Sequence, residues 1–216
     1  MPLADRLGVP AAAVAARSAR IGDGDSVYAD GVISHVNRIA AALGVAPDQP
    51  AAVAARALLD APPGARAPEP IVNRGQHVAL DTPDGRVVLV ESMSFAELAN
   101  RADVLCAGSH GGRVNVVRLL EVRPRGAIFS DGGGAREGSG VDGLRALDEA
   151  GVAAVAVDAM RARIGDPAST WADGIVSAVN DTARAAGVAL GQPAAAAARA
   201  MLARRGAGEV PFDQEA

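Results

Sequence analysis

The chain has no lysine; all 21 of its basic residues are arginine. With alanine, glycine, arginine and valine so abundant, this is what a GC-rich bacterial genome produces. The chemical consequence is sharper. No side chain here can form a Schiff base with pyridoxal phosphate or a carbonyl substrate, and no Walker A phosphate loop can be built. The single cysteine, Cys106, excludes an internal disulfide, and its setting in V-L-C-A-G predicts a buried structural thiol. Aromatics are 2% of residues against 50% hydrophobic, so small aliphatic side chains must build the core around rare anchors such as Phe95, Phe129, Tyr28 and Trp171.

Other absences narrow the function. No apolar run approaches the ~18 residues of a membrane span, and the N-terminus lacks a signal-peptide pattern. A cytoplasmic protein with no membrane partner is expected. The histidines, His35, His77 and His110, are scattered rather than set at ligand spacing, so no metal site is expected. No G-x-S-x-G elbow occurs. With a net charge of -4 and arginines interleaved with acids, no basic face is available to nucleic acid.

What the chain has is a repeat. Residues 3–60 align with residues 146–203 at a constant offset of 143 without a gap, and 33 of the 58 positions are identical. The densest stretch runs A-R-I-G-D-G-D-S-V-Y-A-D-G-V-I-S-H-V-N from position 19, and A-R-I-G-D-P-A-S-T-W-A-D-G-I-V-S-A-V-N from position 162. Residues 61–145 occur once. The expected organisation is a partial repeat at 1–61, a Pro-rich linker at 62–70, a complete unit at 71–204 and a tail at 205–216. A strand and two helices cannot enclose a core. The partial copy is therefore expected to dock on the complete unit or on a second chain, and a homo-oligomer is expected.

Within the complete unit, T-P-D-G joins short apolar runs at 78–81 and 86–90 into a hairpin. Ser94 and Glu97 have capping-box spacing and predict a helix over 95–102. Strands at 103–107, 126–130 and 152–157 alternate with helices at 113–121 and 141–150, the pattern of a parallel sheet with crossover helices. Asp166 and Pro167 suit an N-cap and first turn, predicting a long helix to 186, followed by a second over 193–204. By the repeat, the partial copy should hold a strand at 9–14 and helices at 26–43 and 50–59. On that reading, Asp30, Ser34 and Asn37 share one helix face, as do Asp173, Ser177 and Asn180. The fold class is thus α/β, Rossmann-like and three-layered, with about four mainly parallel strands, an edge hairpin and the partial duplicate.

Open parallel sheets bind ligands beyond the carboxyl ends of their strands. Four loops meet there. One carries Glu91; the second reads G-S-H-G-G; the third runs from Asp131 into G-G-G; and the fourth holds Arg163. A glycine-rich turn opening into a helix can aim amides at an anion, and an imidazole suits proton transfer near neutral pH. The functional expectation is an enzyme of hydrolase, lyase or isomerase type acting on a small anionic metabolite. His110 would be acid or base, with Asp131 orienting it or handling a second proton. Ser109, Gly111, Gly112, Gly132, Gly133, Gly134, Arg163 and Glu91 would hold the substrate. A bland reading competes at each point: the glycines form a tight turn, and the R-I-G-D residues hold that turn to a helix. The alternative function is a non-catalytic ligand-binding or assembly subunit. A dinucleotide-binding protein is the third reading, because Gly138, Gly140 and Gly143 spell G-x-G-x-x-G with Asp158 twenty residues on. It suffers from the seven residues, Gly132 to Gly138, separating the strand from the tight turn, and 25 glycines make the pattern a common accident. No cofactor is expected.

Overall fold

The computed structural model describes residues 1–62 and 73–204. Beyond residue 62, the expected linker and the expected tail lie outside the described residues. The N-terminal copy comprises α1 (Pro2–Leu7), β1 (Ala12–Val14), α2 (Gly24–Asp30), β2 (Ile33–Val36), α3 (Arg38–Ala42) and α4 (Ala51–Leu58). The complete unit follows with β3 (His77–Thr82), β4 (Gly85–Val90), β5 (Val104–His110), α5 (Arg113–Val122), β6 (Gly126–Ser130) and α6 (Gly143–Glu149). It ends with β7 (Ala153–Val157), α7 (Pro167–Asp173), β8 (Val176–Val179), α8 (Asp181–Ala185) and α9 (Ala194–Ala203).

The sheet order β3-β4-β5-β6-β7-β8 is sequential. Strands β4 to β7 are parallel, and β3 and β8 are antiparallel edges. The protein is therefore α/β, with the parallel four and the hairpin expected from sequence, extended by an edge strand that was not expected. Alternate residues of every central strand are buried on opposite faces. Leu105, Ala127, Phe129 and Ala156 pack under α5 and α6, while Val104, Cys106, Ile128 and Val155 pack under the C-terminal helices. The larger of these, Leu105, Phe129, Ile128, Val104 and Val155, contribute about 1.5–3 kcal/mol each when fully buried. Cys106 is wholly enclosed, and burial raises its thiol far above the ordinary range, which makes it inert. Among the described residues, no helix is long and apolar enough to cross a membrane.

The long helices expected at 166–186 and 26–43 do not form. Each is a helix, a strand and a second helix. Gly31 and Gly174 leave the helix with ψ of 140° and 133°, and a Cβ at either would overlap the carbonyl four residues earlier. The β-branched runs that follow then extend into β2 and β8. Asn37 and Asn180 start new helices by accepting from the Ala40 and Ala183 N–H groups, both at 2.9 Å. Asp30, Ser34 and Asn37 thus sit at a helix end, in a strand and at an N-cap, not on one helix face. The predicted helix at 95–102 is also different. It is two short 3-10 turns, Met93–Phe95 and Leu98–Ala102, and the capping box pairs Glu97 with Asn100 rather than Ser94 with Glu97.

The two copies repeat one another in space. Asn37 Nδ2 donates to the Val9 carbonyl and Asn180 Nδ2 to the Val152 carbonyl, each at 2.8 Å, one offset apart. In the N-terminal copy, β1 and β2 form a two-stranded antiparallel sheet over a small core of Ile33, Ala40, Val45, Ala51 and Ala54.

Candidate functional site

Strand β5 ends at His110, opposite Ser130 at the end of β6. Here the chain satisfies its own polar groups. The Gly111 N–H donates to the Ser130 carbonyl at 3.0 Å, and the Gly112 N–H to His110 Nδ1 at 3.0 Å. The Gly132 N–H donates to Ser130 Oγ at 3.2 Å, the Gly133 N–H to Asp131 Oδ1 at 2.9 Å, and the Gly134 N–H to the Asp131 carbonyl at 3.1 Å. All five amides expected to face an anion have internal acceptors. Asp131 also accepts from the Ala159 N–H at 3.1 Å and from Ser177 Oγ at 2.9 Å, so both carboxylate oxygens tie its loop to the second copy. No hydrogen bond joins Asp131 to His110.

The other nominated residues are similarly placed. Ser109 Oγ accepts from the Met93 N–H and from Asn115 Nδ2, and Glu91 accepts from the Asn73 N–H. Arg163 pairs with Asp166 at 3.2 Å and remains largely exposed. Burial lowers the His110 pKa against the opposing pull of Asp142. Because Nδ1 accepts from the Gly112 N–H, the hydrogen bond favours the tautomer with its proton on Nε2. Two glycines of G-x-G-x-x-G have packing roles: a Cβ at Gly140 would overlap the Asp131 carbonyl, and one at Gly143 would lie 2.6 Å from the Gly111 carbonyl, whereas Gly138 has open space around it and a left-handed φ of +71°. Among the described residues, no group of three or more His, Cys, Asp or Glu could hold a metal.

The topology provides no switch-point crevice here. Ligand crevices form where successive crossover helices diverge to opposite faces of the sheet. In this chain the strand order never reverses, and α5 and α6 cover the same face.

The R-I-G-D turn of the N-terminal copy occupies this end of the sheet instead. It lies on the loop after β6, where Gly132, Gly133, Gly134, Ala135, Glu137 and Gly138 all have positive φ. Ala135 and Glu137, at 44° and 58°, are held against their preference and mark an over-determined segment. The Arg136 N–H donates to the Ala19 carbonyl at 3.1 Å, and the Ile21 N–H donates to Ser139 Oγ at 3.0 Å. Ion pairs Arg20–Glu137 at 3.2 Å and Arg136–Asp30 at 2.9 Å flank these bonds. Hydrogen bonding to Asp23 and Glu137 raises the Arg20 pKa, and Asp30 is lowered by Ser26 and then by Arg136. Gly22 lies against Val114 so closely that a Cβ would be 2.5 Å from Cγ2. Arg136, Glu137 and Ser139 stand in a glycine-rich polar stretch of the sequence, but nothing in that sequence links them to a turn more than a hundred residues earlier.

Beside this junction runs a cleft of about 420 Å3, lined by Arg20, Asp23, Arg113, Val114, Ser139 and Asp142. The Arg113 N–H donates to Asp142 Oδ1 at 2.5 Å, while its guanidinium pairs with no carboxylate among the described residues. His110 adjoins this region, since a Cβ at Gly112 would lie 2.8 Å from its Nδ1 and 2.9 Å from the Ser139 carbonyl. The R-I-G-D network plays the same structural role in both copies. The Arg20 and Arg163 N–H groups donate to Ser26 and Ser169 Oγ, which in turn donate to Asp30 and Asp173. No protein-family model, curated protein or solved structure matches the chain.

Proposed function

We propose that this protein is a non-catalytic assembly and binding subunit, in which the N-terminal copy is an intramolecular plug on the glycine-rich loop. One observation carries the reading. The five amides and the carboxylate that an anion-handling enzyme would need there are engaged internally, and a complementary turn of the same chain covers the loop. The test is thermal unfolding across a panel of phosphate and dicarboxylates. The expected result is no stabilisation beyond that of an inert salt at equal ionic strength. A saturable rise in Tm that His110→Ala removes would overturn it.

A second reading is favoured by the Arg113 guanidinium, which pairs with no carboxylate among the described residues, in the lining of the 420 Å3 cleft, with His110 near it. A small anionic metabolite would bind in that cleft with Arg113 rather than the loop amides as its partner, and the His110 Nε2–H would serve as a hydrogen-bond donor to charge developing in a hydrolase, lyase or isomerase step. A saturable anion effect lost in Arg113→Ala would select it.

A further inference from the structure

The duplication supplies an internal control for every residue of the N-terminal copy. Leu202 and Val152 of the complete unit are 3% and 2% exposed, whereas their counterparts Leu59 and Val9 are 83% and 40% exposed. Met201, Ala198 and Val157 are fully buried, and their counterparts Leu58, Ala55 and Val14 are only partly covered. The difference has one source. In the complete unit α7 and α9 reach past β7 and pack on β4, β5 and β6, through contacts with Val87, Val104, Cys106 and Ile128. In the N-terminal copy α2 and α4 pack on each other, and the apolar cluster beside them draws on no strand other than β1 and β2 among the described residues. What remains is an apolar groove of about 330 Å3, whose lining includes Val14, Tyr28, Ile33, Ala54, Ala55 and Leu58.

The groove borders an open strand edge. β7 is bonded to β6 on one side and β8 on the other, but β1 is bonded only to β2. The unfilled side of Ala12–Val14 corresponds to the side on which Val155, Ala156 and Val157 pair with Ile128, Phe129 and Ser130 in parallel. An open edge beside an apolar groove is the geometry of strand addition, with main-chain bonds supplying affinity and alternate side chains specificity.

We infer that the N-terminal copy is an acceptor for a β-strand of another polypeptide, added parallel to β1. The inference rests on the assembly reading above and names its partner chemistry. That strand resembles Gly126–Ser130: short, uncharged and apolar on both faces, because β6 is buried at every position. A second copy of this chain offers only poorer open-edged strands: β1 is three residues long, β2 carries His35, and β8 has the exposed Ser177. Its β6 lies mid-sheet with both edges bonded, and its edge strand β3 carries His77, Asp81 and Thr82.

The probe is a synthetic peptide with the sequence of residues 124–132, titrated into the full chain by calorimetry, with hydrogen exchange read on β1. Saturable 1:1 binding is expected, with slowed exchange at residues 12–14. Replacing the isoleucine of the peptide by aspartate should abolish binding, since Ile128 faces the α7–α9 side in the complete unit. Ala55→Arg, on a partly exposed face of α4, should weaken it at least tenfold without altering the circular dichroism of the chain. If the peptide fails to bind while the chain is an oligomer that Ala55→Arg dissociates, the occupant is a second copy; this inference falls and the assembly reading stands. If the peptide fails and the chain is monomeric with or without Ala55→Arg, both fall.

Discussion

Gly22→Val tests whether the N-terminal copy is held by its turn, and the repeat provides the control. Gly22 and Gly165 occupy the same position of R-I-G-D with φ of +78° and +83°. A side chain at either costs about 1–2 kcal/mol for the left-handed backbone. Only at Gly22 does it also meet the facing helix, 2.5 Å from Val114 Cγ2, whereas a Cβ at Gly165 has nothing within 4 Å. Overpacking of that kind costs about 1–3 kcal/mol, so Gly22→Val should destabilise by that much more than Gly165→Val. The lone tyrosine and lone tryptophan report separately, because Tyr28 lies in α2 and Trp171 in α7, one offset apart. Urea unfolding followed at both fluorophores should show the Tyr28 transition moving to lower denaturant in Gly22→Val, ahead of that of Trp171. In Gly165→Val the Trp171 transition alone should shift. Val114→Ala, at an exposed position, should cost little by itself and recover part of the Gly22→Val loss. Equal effects of the two valine variants, or no recovery, would refute the docking argument.

Asp131→Ala removes the acceptor for Gly133, Ala159 and Ser177 and should cost about 2–3 kcal/mol in urea unfolding. A loss under about 0.5 kcal/mol would mean the carboxylate is kept for something other than structure. Asn180→Ala should cost about 2–4 kcal/mol, because it orphans the buried Ala154 N–H and Val152 carbonyl, and Asn37→Ala about half that, because its partners lie nearer solvent. His110 has a folded pKa below its unfolded value near 6.5. The unfolded chain therefore binds the extra proton first, and stability should fall as pH drops below about 6.5, levelling off once the folded ring also protonates. His110→Asn, which keeps an acceptor for the Gly112 N–H, should flatten that part of the stability profile; an unchanged slope would assign it to other groups.

The sequence by itself determined what rests on local chemistry and on self-comparison. The 143-residue offset predicted two copies of one arrangement, and the alternation of apolar runs with helical segments predicted the parallel four strands. The exclusion of a reactive Cys106 followed from its apolar neighbours. The helix read through Gly31 and Gly174 failed because D-x3-S-x2-N has helical spacing, while the glycines and β-branched residues between them favour a strand. Only the tertiary structure shows where the hydrogen bonds of the nominated residues go. Glycine amides at a strand end look identical in sequence whether they face solvent or a carbonyl, and their partners come from far away: Ser177 reaches Asp131 across 46 positions, and Ser139 reaches Ile21 across 118. The same holds for burial. Leu59 and Leu202 occupy equivalent positions in two near-identical segments, yet one is exposed and the other enclosed, because strands β4 to β6 accompany only the second copy.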